Sequence, residues 1–170
     1  TMLYPSSVLL GEGARSESLG IVLAGEGQVQ DTGSKVLHLA PNTTSNIRSK
    51  SISKDGGISN YRGFVQVGKR AENTHSTVSC DALILDDKSE SNTYPTMKNE
   101  NDNVQIAHEA RVGKIGEDEI FYLKSRGYSE SEATRLIVNG FIEPMIKAMP
   151  LEYALELNKL IELEMENSVG

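Results

Sequence analysis

Ser45-Asn46-Ile47-Arg48-Ser49 is echoed by Ser59-Asn60-Tyr61-Arg62-Gly63, by Ser76-Thr77-Val78-Ser79-Cys80 and by Ser91-Asn92-Thr93-Tyr94-Pro95. Each pentapeptide opens on a serine, continues with a polar residue and ends on a small or ring-closed one. Their starts are 14, 17 and 15 residues apart. Recurrence at that spacing, with Ser, Thr and Asn at fixed places, is the pattern of a coil whose turns stack small polar residues at their corners. A β-sandwich built from hairpins is the competing architecture. Hairpins favour two-residue Asn-Gly or Asp-Gly turns, and within residues 1–115 only Asp55-Gly56 qualifies. The reading is therefore a parallel β-helix.

The surrounding segments agree. Ile21-Val22-Leu23-Ala24, Val36-Leu37-His38-Leu39, Phe64-Val65-Gln66-Val67 and Ala82-Leu83-Ile84-Leu85 are short apolar strands. Gly25-Glu26-Gly27, Asp55-Gly56-Gly57 and Asp86-Asp87-Lys88 punctuate them. The chain opens on Thr1-Met2-Leu3-Tyr4-Pro5-Ser6, which reads as the interior of a domain, so a preceding region is expected. At Gly113-Lys114-Ile115-Gly116 the period changes from two to that of helices. Glu117-Asp118-Glu119 places acids where the helix dipole favours them, and Gly127 closes the first helix. Ser129 and Glu132 form a capping box for a second helix with Ala133, Leu136, Ile137, Gly140 and Phe141 as its apolar stripe. Pro144 predicts a kink or break there. A third helix runs from Pro150 to Glu166, with Ala154, Leu157, Leu160, Ile161 and Met165 turned inward. The expected organisation is mainly β with an α tail, the β-helix over 1–115 and a small helical domain over 116–170.

Composition narrows the function classes. Of the 170 residues 38% are hydrophobic and none is Trp, so the core is built from Val, Ile, Leu and Met. No stretch has the roughly 20 apolar residues of a membrane span, and no signal-peptide pattern is present. One Cys cannot form an internal disulfide, which points to a reducing, cytoplasmic compartment or its organellar equivalent. The net charge is −7. Residues 1–115 carry 12 Lys/Arg against 13 Asp/Glu, and residues 116–170 carry 5 against 11. An acidic tail argues against nucleic-acid binding, which calls for a basic face. It is either a solvated helix surface or a docking surface for a basic partner.

Few residues carry chemistry. Cys80 is the only sulfur nucleophile, and His108-Glu109 follows 28 residues later. Thiolate, imidazole and carboxylate are the side chains that hold iron, zinc or copper. Each also has a plain structural reading. A lone Cys in a strand is most often a buried small hydrophobe, a lone His is most often structural, and Glu109 can simply face water. His38 and His75 have no supporting pattern. Zinc spacings, a phosphate-cradling glycine loop and a hydrolase nucleophile elbow are all missing. A carbohydrate-active β-helix would need paired carboxylates and an aromatic groove, and aromatics make up only 5%.

A wider set of segments resembles one family. These are the opening hexapeptide, Asp31-Thr32-Gly33-Ser34-Lys35, Ser49-Lys50-Ser51-Ile52-Ser53, Tyr61-Arg62-Gly63, Cys80-Asp81, His108-Glu109-Ala110, Lys114-Ile115, Phe121-Tyr122-Leu123-Lys124-Ser125-Arg126-Gly127, Ile137-Val138-Asn139-Gly140-Phe141 and the terminal Asn167-Ser168-Val169-Gly170. In this order they are similar to the C-terminal part of the SufB/SufD family, which belongs to the SUF system of iron–sulfur cluster assembly. The SufD branch typically has Gly in place of Glu109 and lacks the cysteine, so Cys80 with Glu109 points to the SufB branch.

That resemblance implies a right-handed parallel β-helix followed by a helical domain, acting as a scaffold and not as an enzyme. It implies a transient iron–sulfur cluster as cargo, with Cys80 and Glu109 at the assembly site and His108 as helper. It also implies a complex with SufD, with the ABC-type ATPase SufC and with sulfur donor proteins. SufC is expected on the acidic tail, where Glu130, Glu132 and Glu143 are the candidate contacts. A SufD-like structural partner without its own site is the alternative.

A few physical expectations complete the reading. A thiolate that receives sulfur or binds iron should be partly exposed with a lowered pKa, so Cys80 is expected at a rim. If each pentapeptide marks one rung, Cys80 and His108-Glu109 lie two rungs, about 10 Å, apart. A β-helix with open ends should pair with another chain, so a homodimer is expected for the isolated chain.

Overall fold

The computed structural model describes residues 1–166, with side chains to residue 165. The terminal tetrapeptide that carries part of the resemblance lies outside the described residues. Nine strands come first: β1 Met2–Leu3, β2 Ser6–Leu9, β3 Arg15–Ala24, β4 Val29–His38, β5 Thr44–Ser53, β6 Ile58–Val67, β7 Thr74–Ile84, β8 Glu90–Asn99 and β9 Val104–Lys114. They alternate between two sheets. One runs β1/β2–β4–β6–β8 and the other β3–β5–β7–β9, and every pairing is parallel. The chain is thus a parallel β-solenoid of about four turns.

The pentapeptide repeat is explained by this coil, with one correction. Ser45 lies beside Ser76 on β5 and β7, and Ser59 beside Ser91 on β6 and β8. Each pentapeptide is therefore half a turn, and alternate copies stack. β7 and β9 are direct neighbours, with β8 on the opposite sheet. Cys80 and His108 are one strand spacing apart, about 4.8 Å between backbones, instead of the two rungs expected.

Small polar residues do stack inside the coil. Ser45 and Ser76 hydroxyls are 2.8 Å apart and those of Thr43 and Thr74 are 3.1 Å apart. His38 bridges Thr43 and Ser45 at 2.8 and 2.9 Å. All are buried, so each hydroxyl finds its partner on its own or the next turn, as buried polar groups must. At one corner Asn42 and Asn73 take the left-handed conformation, with φ of 58° and 53°. Asn tolerates that region, and the two side chains hydrogen-bond to each other at 2.7 Å.

Three helices follow: α1 Glu117–Ser125, α2 Glu130–Ile146 and α3 Leu151–Glu166. Gly127 ends α1 with φ 97°. Ser129 and Glu132 make the reciprocal capping box at α2. Two expectations are corrected. Of the expected kink or break the break is excluded: the second helix runs on through Pro144, which falls in its last turn, where only the Gly140 carbonyl loses its intrahelical donor to the proline. The fully buried residues of α2 are Ala133, Val138, Ile142 and Met145, and the expected Ile137 and Phe141 pack partly buried beside them, but Leu136 is 42% exposed, and on α3 Leu160 is also exposed.

α2 and α3 pack on the outer face of the β3–β5–β7–β9 sheet. Ile52, Leu83, Val138, Ile142, Ile161 and Met165 form one buried cluster there. A second cluster, including Val36, Ile47, Val65, Val78 and Cys80, fills the lumen between the sheets. Two lysines, Lys50 on β5 and Lys54 just after it, tie α2 and α3 down. Lys50 donates to the Phe141 carbonyl at 2.6 Å and lies 4.2 Å from the centre of that ring, and buried Lys54 donates to the Glu164 carbonyl. Among the described residues, no helix is long and apolar enough to cross a membrane.

Candidate functional site

Strand alternation decides where each candidate ligand points, because successive side chains face opposite sides of a sheet. On β7 the even-numbered residues from Thr74 to Ala82 are buried toward the lumen. Cys80 is one of them, 5% exposed. His108 lies beside Val78, and Ala110 beside Cys80. His108 therefore shares the lumen face, and its Nε2 is 3.9 Å from the Cys80 Sγ.

The expectation of a rim cysteine with a lowered pKa does not hold for this arrangement. Burial pushes the Cys80 thiol up to about 11, and the nearby Asp81 carboxylate adds to that. One group opposes them. The Tyr61 hydroxyl, in the same buried cluster, favours the thiolate. Tyr61 reaches across from β6 and is itself buried. Its hydroxyl makes no full hydrogen bond to the neutral thiol, and no other described group partners it.

Glu109 is one residue out of phase. Its carboxylate takes Arg111 at 2.6 Å on the outer face, more than half exposed. That pair continues a row of charges. Arg111 lies beside Asp81, and Asp81 is 3.7 Å from the Lys50 ammonium that holds Phe141 of α2. Both carboxylates keep the Arg111 guanidinium more firmly protonated than usual. The sheet brings Cys80 and His108 together and keeps Glu109 apart from them. Among the described residues, no group of three or more His, Cys, Asp and Glu is arranged to hold a metal ion.

The site sits one turn inside an open end. β8 and β9 are each paired on one side only. Tyr94, Met97 and Val112 on these last strands are all more than two-fifths exposed. His108 is on β9, so it lies between Cys80 and that edge.

The three acidic candidates on α2 are exposed, and each has a local role. Glu130 pairs with Lys124 at 2.9 Å, Glu143 pairs with Lys147 at 2.7 Å, and Glu132 is consumed by the capping box. Glu130 and Glu143 are 13 residues apart, about 20 Å along the helix axis, so they do not form one patch.

Two residues at this site were not singled out from sequence. Lys50 lay within a matching segment without any sign that it would hold a helix. Tyr61 had a signal, since it occupies the third position of a pentapeptide whose equivalents Ile47 and Val78 are buried.

The family model for the SUF system FeS cluster assembly SufBD core domain matches residues 1–141. The iron–sulfur cluster assembly protein SufB of Bacillus subtilis is 56% identical over all 170 residues. SufBD family proteins of Staphylococcus saprophyticus and Staphylococcus haemolyticus are also 56% identical over the whole chain. The chain spans about 37% of the length of these relatives. A family model over residues 1–141 and a full-length match at that identity show that the chain belongs to the SufBD core family of the SUF iron–sulfur cluster assembly system.

Proposed function

We propose that this chain is the cluster-building portion of a SufB-type scaffold, with Cys80 as the residue that accepts sulfur or iron and His108 as its neighbour. The observation that carries this reading is the 3.9 Å contact between the Cys80 sulfur and the His108 ring, one turn behind two unpaired strand edges. One Cys with one imidazole is a weak, labile donor set. A scaffold that must release its cargo needs such a set, whereas four cysteines would retain the cluster. The cluster is cargo, and the chain contributes binding and orientation without enzymatic turnover of its own.

The edges of β8 and β9 are the proposed seat of a second chain, SufD in the complete assembly or another copy when the chain is alone. Unpaired parallel edges with exposed apolar side chains are templates for further pairing. Glu109 would then serve the cluster across that interface, or after β9 slips by one residue, since such a slip exchanges the two faces of a strand. The solenoid over 1–115 is the proposed assembly part. The helical domain is the proposed seat of SufC, with Glu130, Glu132 and Glu143 as separate candidate contacts along α2. Sulfur donor proteins would deliver to Cys80 in a reducing cytoplasm or stroma.

The test uses the full-length protein with its partners. Cys80→Ala should abolish acid-labile sulfide and iron retained after anaerobic assembly, while the protein stays folded by circular dichroism. His108→Ala should reduce the yield. A normal cluster yield from Cys80→Ala would reject this reading and favour a SufD-like structural partner, which the burial of Cys80 would also suit.

A further inference from the structure

We propose that Tyr61 is a further positioning residue of the Cys80 site, its buried hydroxyl held ready to donate a hydrogen bond to a second sulfur atom carried on Cys80. This rests on the assignment of Cys80 as the acceptor. Three independent features of the lumen support it.

The first is the orphaned hydroxyl. Tyr61 is 8% exposed, and its oxygen has no hydrogen-bond partner among the described groups. A buried polar group without a partner is costly and rare in folded proteins. Phenylalanine would fill the same place without that cost, so the fold alone gives no reason for the oxygen.

The second is where the ring sits. Tyr61 and Cys80 belong to the same buried cluster of the lumen, and the hydroxyl acts on the thiol in the direction that favours its anionic form. A neutral thiol is a weak acceptor. A persulfide, R–S–S⁻, puts full negative charge on a sulfur one bond further out. The hydroxyl is thus unsatisfied by the resting thiol and suited to the loaded state.

The third is the space cleared for the ring. A Cβ on Gly63 would come within 3.0 Å of the Tyr61 Cε1 and 3.6 Å of its oxygen. Gly63 lies two residues on, on the same face of β6, and any side chain there would press on the ring. Tyr61 also lines a cavity of about 100 Å³ together with Ser18, Ser34 and Ser49, and Ser49 is the strand neighbour of Cys80. Free space and a serine hydroxyl therefore lie at the strand position next to Cys80.

The step served is a transfer of one sulfur atom. The Cys80 thiolate attacks a donor persulfide or polysulfide, a new S–S bond forms on Cys80, and the donor's S–S bond breaks. The donor leaves as an anion one sulfur shorter. The Cys80 thiol first gives its proton to water. The thiolate's electron pair then makes the new bond, and the pair of the broken bond leaves with the donor. The transferred outer sulfur keeps the negative charge it carried on the donor, so no net oxidant or reductant is consumed. Tyr61 keeps its proton throughout.

The test uses the full-length protein in its complex, with sodium tetrasulfide as donor. The fraction of Cys80 carrying one additional sulfur is read by peptide mass after alkylation, and thermal midpoints are measured alongside. Tyr61→Phe should lower that fraction roughly tenfold, the worth of one hydrogen bond to a charged acceptor. Its thermal midpoint should be unchanged or higher, because the variant removes an unsatisfied buried group. Gly63→Ala keeps the hydroxyl but displaces the ring, and should show a smaller loss of the same kind. Wild-type loading in both variants would overturn the proposal. So would a fall in thermal midpoint that accompanies the loss, which would make the hydroxyl structural. A wild-type protein that gains no sulfur on Cys80 would also overturn it, since the hydroxyl would have no acceptor to serve. The underlying assignment fails separately, if Cys80→Ala assembles clusters normally.

Discussion

The two faces of the β3–β5–β7–β9 sheet come from the same strands and present opposite chemistry. Toward the lumen lie Cys80, His108, Val78 and Ile47, with Tyr61 arriving from the other sheet. There burial holds the thiol neutral. On the outer face, Lys50, Asp81, Arg111 and Glu109 form a row of alternating charge that starts at a helix carbonyl and ends at the open edge. A one-residue difference in position separates His108 from Glu109, and the alternation of strands turns that into two environments. Adjacent residues in a strand are not neighbours in chemistry, so a ligand set cannot be read from a dipeptide.

The outer face is also where the helices attach, and the largest expected effect is there. Ile52 is fully buried under the helices. Ile52→Ala should lower unfolding free energy by about 2–5 kcal/mol, measured by urea denaturation. The signal to watch is the helical one at 222 nm. If it is lost at lower urea than the solenoid, the outer cluster holds the helices as a separate unit. A single shared transition would show that both faces fold together.

Lys50 is the next largest. Its ammonium is mostly covered and serves the Phe141 carbonyl, the Phe141 ring and Asp81 together. Lys50→Met keeps the stem and removes the charge. It should cost about 1–2 kcal/mol by the same denaturation measurement, because a helix carbonyl and Asp81 lose their partner. No change would mean that apolar packing alone seats the helices.

Much of the fold was legible in the sequence, and less of the site. Ser45, Ser59, Ser76 and Ser91 announced the stacking because small polar residues at corners must recur to satisfy one another. Ser129 with Glu132 and Gly127 announced helix ends, because cap chemistry is local. The length of a turn was misread, since two half-turns with similar pentapeptides look like two whole rungs until strand pairing is known. Cys80 and His108 were legible as residues, but their shared face was not. That depends on a register between strands 30 residues apart, which no local pattern carries. Tyr61 escaped for the same reason, since it meets Cys80 only because the two sheets face each other.

A smaller effect belongs to the lumen and depends on pH. Burial lowers the pKa of His38, which sits neutral between the Thr43 and Ser45 hydroxyls. Its ordinary value is about 6.5. Above that pH both folded and unfolded chains hold it neutral, and its contribution is fully present. As pH falls below about 6.5 the unfolded chain takes up the proton first, so stability is lost down to the depressed folded value. Denaturation midpoints measured through that window should fall in the parent and fall less in His38→Gln. Equal slopes would mean that another group dominates the acid limb.

The smallest effect on stability is expected at the open edge, and it separates the two faces most cleanly. Glu109 and Arg111 are exposed and pair with each other in solvent. Exposed ion pairs gain little, because water screens them and two long side chains must be held still. Glu109→Ala and Arg111→Ala should leave the thermal midpoint of the isolated chain where it is. A clear fall would make the pair part of the charge row that seats the helices, and Glu109 would then act on the fold before it acts on any cargo. If the midpoint holds, any loss of cluster yield from Glu109→Ala in the full complex must arise where the isolated chain has nothing to lose. That leaves the unpaired edge of β9, either at a second chain docked there or in a register shift that turns Glu109 toward Cys80. Crosslinking from a cysteine placed at Val112 would distinguish them, since only docking brings a foreign chain within reach.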